Sequence, residues 1–163
     1  MKKAILASVA GVALAFGLAA CSNEAEVPVD TAAEAPDAPE GVSVNDGRMN
    51  IPAVAGSPAA IYFTLINTGP DELILRAANV AGAQSASLHE TADADGVMTM
   101  PQLDQLPIAP GETVAFMPGG KHVMVMGLPA GLEPGGEIEV TLSFDSGDKV
   151  SFPARLLAPG DPG

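Results

Sequence analysis

Two histidines and two methionines, His89, Met100, His122 and Met124, stand in the spacing His-x10-Met-x21-His-x-Met, and they are the residues of this chain best equipped for chemistry. The chain has only two histidines, and both belong to this set. Of its seven methionines one is the initiator, and four of the others (Met98, Met100, Met124, Met126) crowd into the same stretch. Imidazole nitrogen is a borderline donor and thioether sulfur a soft one. Together they suit a soft cation: thioethers favour Cu(I), whereas Mg²⁺ and Ca²⁺ want oxygen. Catalysis has little else to draw on. There is no Ser/His/Asp or Cys/His set apart from these two histidines, so the expectation is a protein that is not an enzyme.

His122 and Met124 are the most local pair. On a strand, side chains two apart share a face, so His122, Met124 and Met126 project together while Val123 and Val125 oppose them. The same rule pairs Met98 with Met100, Thr99 being opposed. Two strand ends could thus present nitrogen and sulfur donors toward one point, with His89 arriving from a third. His89 lies in an alanine-rich setting (AQSASLHE) where a polar role is needed; a hydrogen-bonded core histidine is the competing structural reading. Met98 and Met126 fit packing or the surroundings of the site, although a flexible thioether at either could substitute as a ligand. Met49 and Met117 have no spacing argument, and core filling is their expected role. Glu90 and Asp93 are candidate acceptors for an imidazole N–H, or solvated loop charges. Gly119-Gly120 and Lys121 form a tight turn into the second histidine.

The elements that would position these residues read as short strands between turns. Ala59 to Asn67 (AAIYFTLIN) is β-branched and aromatic, and Thr68-Gly69-Pro70-Asp71 breaks it. From Glu72 to Ala78, Leu73 and Leu75 oppose Glu72, Ile74 and Arg76. Further strands are expected at Ser85 to Thr91, Val97 to Met100, Thr113 to Met117, His122 to Met126, Glu137 to Phe144 and Lys149 to Leu156. Asp95-Gly96 and Ser146-Gly147-Asp148 have the composition of hairpin turns. No useful window shows a 3.6-residue apolar period, and eighteen glycines with fifteen prolines fit many turns. Strands at roughly ten-residue intervals imply an all-β, Greek-key sandwich or small barrel.

The ends belong to other classes of segment. Residues 1–21 read as a lipoprotein signal peptide: Lys2 and Lys3 start it, and Ala4 to Ala20 is an apolar run short for a membrane span. Leu18-Ala19-Ala20-Cys21 resembles a lipobox, which would make Cys21 the lipidated first residue of the mature protein. Cys21 is also the only cysteine, so an intramolecular disulfide and a thiolate-ligated metal are excluded. Residues 22–40 are acidic and rich in proline and alanine, without a basic residue, and read as a disordered tether. Residues 41–157 form a single folded domain of ordinary size, and 158–163 a short flexible tail. The formal charge is −13, and removal of Lys2 and Lys3 leaves five basic residues against twenty acidic ones. That balance opposes nucleic acid and anionic lipid as partners.

Several stretches carry a resemblance to a known family. The spacing of His89, Met100, His122 and Met124 resembles the signature of the periplasmic copper chaperones called PCu(A)C. Ala60 to Gly69, ending in Asn-x-Gly, Leu88-His89-Glu90, Gly96 to Met100 and Pro118 to Met124 are similar to the family's segments, and the match spans about Val42 to Leu156. The family's common tryptophan is missing from the N-terminal strand around Arg48, and the His- and Met-rich tail of some relatives is missing after Leu157. The resemblance implies a cupredoxin-like β-sandwich binding one copper ion, as Cu(I), through His89, Met100, His122 and Met124. It is the family spacing alone that favours Met100 over Met98. It further implies a periplasmic chaperone delivering copper toward the Cu(A) subunit of cytochrome c oxidase, alone or with a Sco-type protein; with the lipobox, the expectation is a monomer lipid-anchored to the inner or outer membrane. Two other readings remain open from the residues: a copper-sequestering or resistance protein with the same site, and a non-metal β-sandwich surface module.

Overall fold

The computed structural model describes residues 38–94 and 96–161, and within them every regular element is a β-strand. Cys21 and nearly all of the acidic tether lie outside the described residues. Alternation of apolar and polar side chains decides which face each strand turns inward. The strand β2 (Ala59–Asn67) alternates without a fault, burying Ala59, Ile61, Phe63, Leu65 and Asn67 and leaving Ala60, Tyr62, Thr64 and Ile66 half-buried on the other face. In chain order the remaining strands are β1 (Val42–Asn50), β3 (Leu73–Val80), β4 (Ser85–Glu90), β5 (Ala92–Ala94), β6 (Val97–Thr99), β7 (Leu106–Ile108), β8 (Thr113–Phe116), β9 (Lys121–Met126), β10 (Glu137–Phe144) and β11 (Lys149–Leu157).

Nine of them join in one sheet of order β4-β9-β8-β2-β1-β11-β10-β3-β7, in which β9 also pairs with β2, while β5 and β6 make a separate hairpin. Strands β3 and β4, far apart in that order, approach each other, so the sheet curls on itself. Inside the curl Phe63 stacks on Phe116 with ring centroids 4.2 Å apart and meets Phe152 at 5.1 Å. Met49, Ile61, Leu75, Leu88, Ile108, Val123, Val125, Val140 and Leu142 complete the fully buried core. The expected all-β, cupredoxin-like class is the one observed.

The Asn-Thr-Gly turn after β2 has a mechanical role. Asn67 is buried, and its Nδ2 donates to Asp71 O (2.8 Å), Ile108 O (3.2 Å) and Ala109 O (3.2 Å) while its Oδ1 accepts from Gly69 N (3.0 Å). One side chain thus ties β2 to its own turn and to the end of β7. Any Cβ on Gly69 would overlap the Glu40 carbonyl, so glycine is required there.

Several details differ from the sequence expectations. The alternation in β3 slips after Leu75: Arg76 and Ala77 are both exposed and Ala78 turns inward, opposite a register shift between Ser143 and Phe144 of β10. A bulge resets the phase, which no local pattern announces. Strand β7 was not expected, because Leu-Pro-Ile is short and carries a proline; as the edge strand it tolerates the missing N–H. Met117 is exposed, not in the core, because it follows β8 and opens the turn in which its N–H donates to Lys121 O at 2.8 Å. The folded part also begins before Gly41: Pro39 is buried, Ala38 packs on the core, and Pro39 O accepts from Val42 N. At the other end Asn50 Nδ2 donates to Asp161 O at 2.7 Å, so the tail is held as far as that residue.

Candidate metal centre

Antiparallel pairing of β4 with β9 sets His89 directly opposite His122, Ser87 opposite Met124 and Ser85 opposite Met126. These residues therefore share the outer face of the sheet, while Leu88, Val123 and Val125 drive the opposite face into the core. The two imidazoles stack with centroids 5.9 Å apart and planes 22° from parallel. Two imidazoles bound at about 2 Å to one tetrahedral ion would bring their centroids to roughly 5 Å. The ring centroids are therefore about one ångström farther apart than in such a shell.

Beside them a depression of about 440 Å³ is lined by Met100, His122 and Met124 together with Ala60, Tyr62 and Thr91. Strand β2 supplies its floor, since Ala60 pairs with Met124, and Arg48 from β1 lies over the Tyr62 ring at 5.4 Å. Met100 reaches the site because the chain leaving the β5–β6 hairpin runs alongside β4. His89 bridges Gln102, Pro101 O accepts from Glu90 N (3.2 Å), and Leu88 O accepts from Leu103 N (2.8 Å). Two sets of backbone pairings thus bring Met100, His122 and Met124 to one depression, with His89 facing His122 beside it.

Hydrogen bonds fix the tautomer of both rings. His89 Nδ1 lies 3.1 Å from Met100 O, and His122 Nδ1 lies 3.1 Å from Gly120 O. A carbonyl oxygen can only accept, so each Nδ1 carries the proton and each Nε2 keeps the lone pair a metal needs. Such an N–H tie to a carbonyl is the usual support of a ligating histidine. Gly120 O accepts a second bond from Thr91 N (3.1 Å), locking the Gly119-Gly120 turn to the chain beyond β4. Neither acid considered from the sequence accepts from an imidazole. Glu90 pairs with Lys121 at 2.7 Å, and Asp93 Oδ1 accepts from Gly96 N at 2.7 Å.

Not all of the expected residues converge. His122 is buried and Met124 half-buried, whereas Met100 is 58% exposed at the rim. Met126 continues the face of His122 and Met124 at the open end of β9, and Met98 lies exposed on β6 opposite Asp93; neither lines the depression. His89 does not line it either, and its Nε2 lies 3.0 Å from Ser87 Oγ. Ser87 and Tyr62 were not singled out in the sequence. Ser87 was findable, being two residues before a strand histidine and so on its face; Tyr62 left no signal, since its place depends on β2 lying beside β9. Among the described residues no three His, Cys, Asp or Glu side chains gather to hold an ion, so a metal here would depend on methionine sulfur.

Known proteins place this arrangement in context. A lipoprotein of Leifsonia xyli subsp. xyli, "Putative lipoprotein Lxx21020", is 33% identical over 146 residues, covering 88% of this chain and 85% of that protein. The apo PCuAC domain from PmoF1 superposes with a TM-score of 0.62 at 25% identity, covering 77% of this chain and 99% of that domain. The copper-bound PCuAC domain from PmoF2 superposes with a TM-score of 0.63 at 21% identity, covering 77% and 98%. The curled sheet described above is therefore the PCuAC fold that the sequence resemblance implied. The model of the family described as "Putative lipoprotein LpqE-like" matches residues 42–156, almost the whole folded domain, and the chain belongs to that LpqE-like lipoprotein family.

Proposed function

We propose that this domain is a copper carrier, taking one Cu(I) as cargo through His89, Met100, His122 and Met124. The observation that carries the reading is the register pairing of His89 with His122, with both Nδ1 atoms tied to backbone carbonyls. Two imidazole lone pairs and two thioethers are then left for one ion, a shell that suits Cu(I) and contains no thiolate. Likeness in fold to PCuAC domains, one of them copper-bound, supports the same reading. Thioethers fit an oxidising compartment, because methionine cannot be lost to a disulfide as paired cysteines can. A site without thiolates also holds copper loosely enough to hand it on.

The surroundings favour transfer to another protein. Among the described residues six large apolar side chains are exposed, and five of them (Val97, Met98, Met100, Met117, Met126) lie in the segments that build the site. Exposed, flexible thioethers in these segments offer a partner an adaptable apolar contact. The acceptor in this reading is the Cu(A) subunit of cytochrome c oxidase or a Sco-type protein. Cys21 carries the lipid that keeps the carrier at a membrane outside the cytoplasm.

Anaerobic titration of the protein with Cu(I), followed by X-ray absorption, tests the site: one equivalent in a mixed nitrogen and sulfur shell is expected. Equal copper binding by wild type and the His89→Ala/His122→Ala double variant would refute it. Incubation of loaded protein with an apo Cu(A) domain, reductant and a Sco-type partner should move copper one way. Binding without transfer would make sequestration the better account.

A further inference from the structure

We infer that Ser87 is a positioning residue that holds His89 off the depression and makes it the exchangeable member of the ligand set; this deepens the copper reading above and rests on it. Met100, His122 and Met124 line the depression, and His89 does not. His89 Nδ1 faces Met100 O at 3.1 Å and must carry the proton, so Ser87 Oγ, 3.0 Å from Nε2, donates to the one lone pair this ring could offer a metal. His122 is tied in the same way at Nδ1, but its Nε2 has no hydrogen-bond partner among the described residues. Two histidines with the same tautomer are therefore unequal: one is open to a metal and the other is capped by a hydroxyl.

The local fold places the cap beside the ring. Ser87 precedes His89 by two residues on β4, so the two side chains share a face, and Ser87 is the register partner of Met124. Ser87 thus neighbours two of the proposed ligands, one along its own strand and one across the sheet. Copper arriving at Met100, His122 and Met124 meets a three-donor site. His89 joins by giving up the Ser87 bond and turning Nε2 toward the ion. Release reverses this: Ser87 recaptures Nε2, and the ion is left with three donors and one position open to an incoming ligand. The step is a ligand exchange. The hydroxyl proton stays on Ser87, the Nδ1 proton stays on His89, and copper keeps its oxidation state.

Ser87→Ala in the full chain removes the competitor for Nε2. Cu(I) affinity, measured against a chromogenic Cu(I) chelator, should rise about two- to tenfold, the span that one neutral hydrogen bond represents. Ser87→Thr keeps a hydroxyl and should stay close to wild type. Long-range ¹H–¹⁵N spectra of the copper-free chain supply a readout that a packing role would not move. In Ser87→Ala the His89 Nε2 resonance should shift while His122 Nε2 stays, both rings remaining Nδ1–H tautomers. An unmoved His89 Nε2 resonance, or copper binding in Ser87→Ala equal to or weaker than wild type, would overturn the inference alone. A wild-type chain that binds no Cu(I) would overturn the copper reading, and this inference with it.

Discussion

Removing a donor should have graded effects that depend on what stands beside it. His122 has no neighbour that could replace it, and imidazole is the stronger donor. His122→Ala should therefore lower Cu(I) affinity more than Met124→Leu, for which Met126, next on the same face of β9, offers a second sulfur. Loss of residues that merely support a metal ligand already costs about 10- to 100-fold in affinity, so His122→Ala should exceed that range. Met100→Leu should weaken binding clearly. Met98→Leu should change it little, because Met98 lies on β6 away from the depression. Chelator competition across the four variants checks the ranking, and a Met98→Leu loss matching that of Met100→Leu would reverse the ligand assignment.

Among the strands, the site depends on pairings whose anchors lie far from it. Asn67 makes three donor contacts and one acceptor contact at the end of β2, so Asn67→Ala leaves buried backbone groups unpaired. A loss of about 2–3 kcal/mol in unfolding free energy is expected, measured by urea denaturation. Copper stoichiometry should stay at one, since β4 and β9 are untouched. Gly47 is a second anchor: a Cβ there would lie 2.8 Å from both the Phe152 ring and Pro153 O. Gly47→Ala should cost about 1–3 kcal/mol by the same assay, as other overpacking changes do. Stability unchanged in both variants would mean that the close approach of Gly47 to β11 and the β2 turn do not hold the sheet.

As a whole, the domain has a core built without any metal: four phenylalanines and a shell of aliphatic side chains fill the curl, and the candidate site lies on its outer face. The copper-free protein should therefore show β-type circular dichroism and a cooperative melt. Cu(I) should add about 2.7 kcal/mol at a free concentration one hundred times its dissociation constant. A chain that orders only when copper is added would contradict this, since that behaviour belongs to small domains folded by their ion. Membrane attachment is a separate property of the chain. Cys21→Ser should leave the precursor uncleaved or release the protein from membranes, because acyl chains contribute about 0.8 kcal/mol per buried CH₂. Unaltered fractionation and processing of that variant would exclude Cys21 as the anchor.

The donor types, the two faces of β9 and the strand-and-turn rhythm were legible in the sequence, because each is set within a few residues by side-chain chemistry and a period of two. The likeness of His89, Met100, His122 and Met124 to a known spacing was legible too. Their geometry was not. That His89 faces His122 follows from the register of β4 against β9, and Met100 arrives through the pairing of residues 101–103 with β4. Such contacts join residues 11 to 33 positions apart, and no local pattern encodes which strands become neighbours. For the same reason the slip in β3, the edge strand β7 and the exposure of Met117 emerged only in the fold. Ser87 makes the division plain: its face could be read from its distance to His89, but only the packed sheet decides that its hydroxyl caps the nitrogen a metal would need.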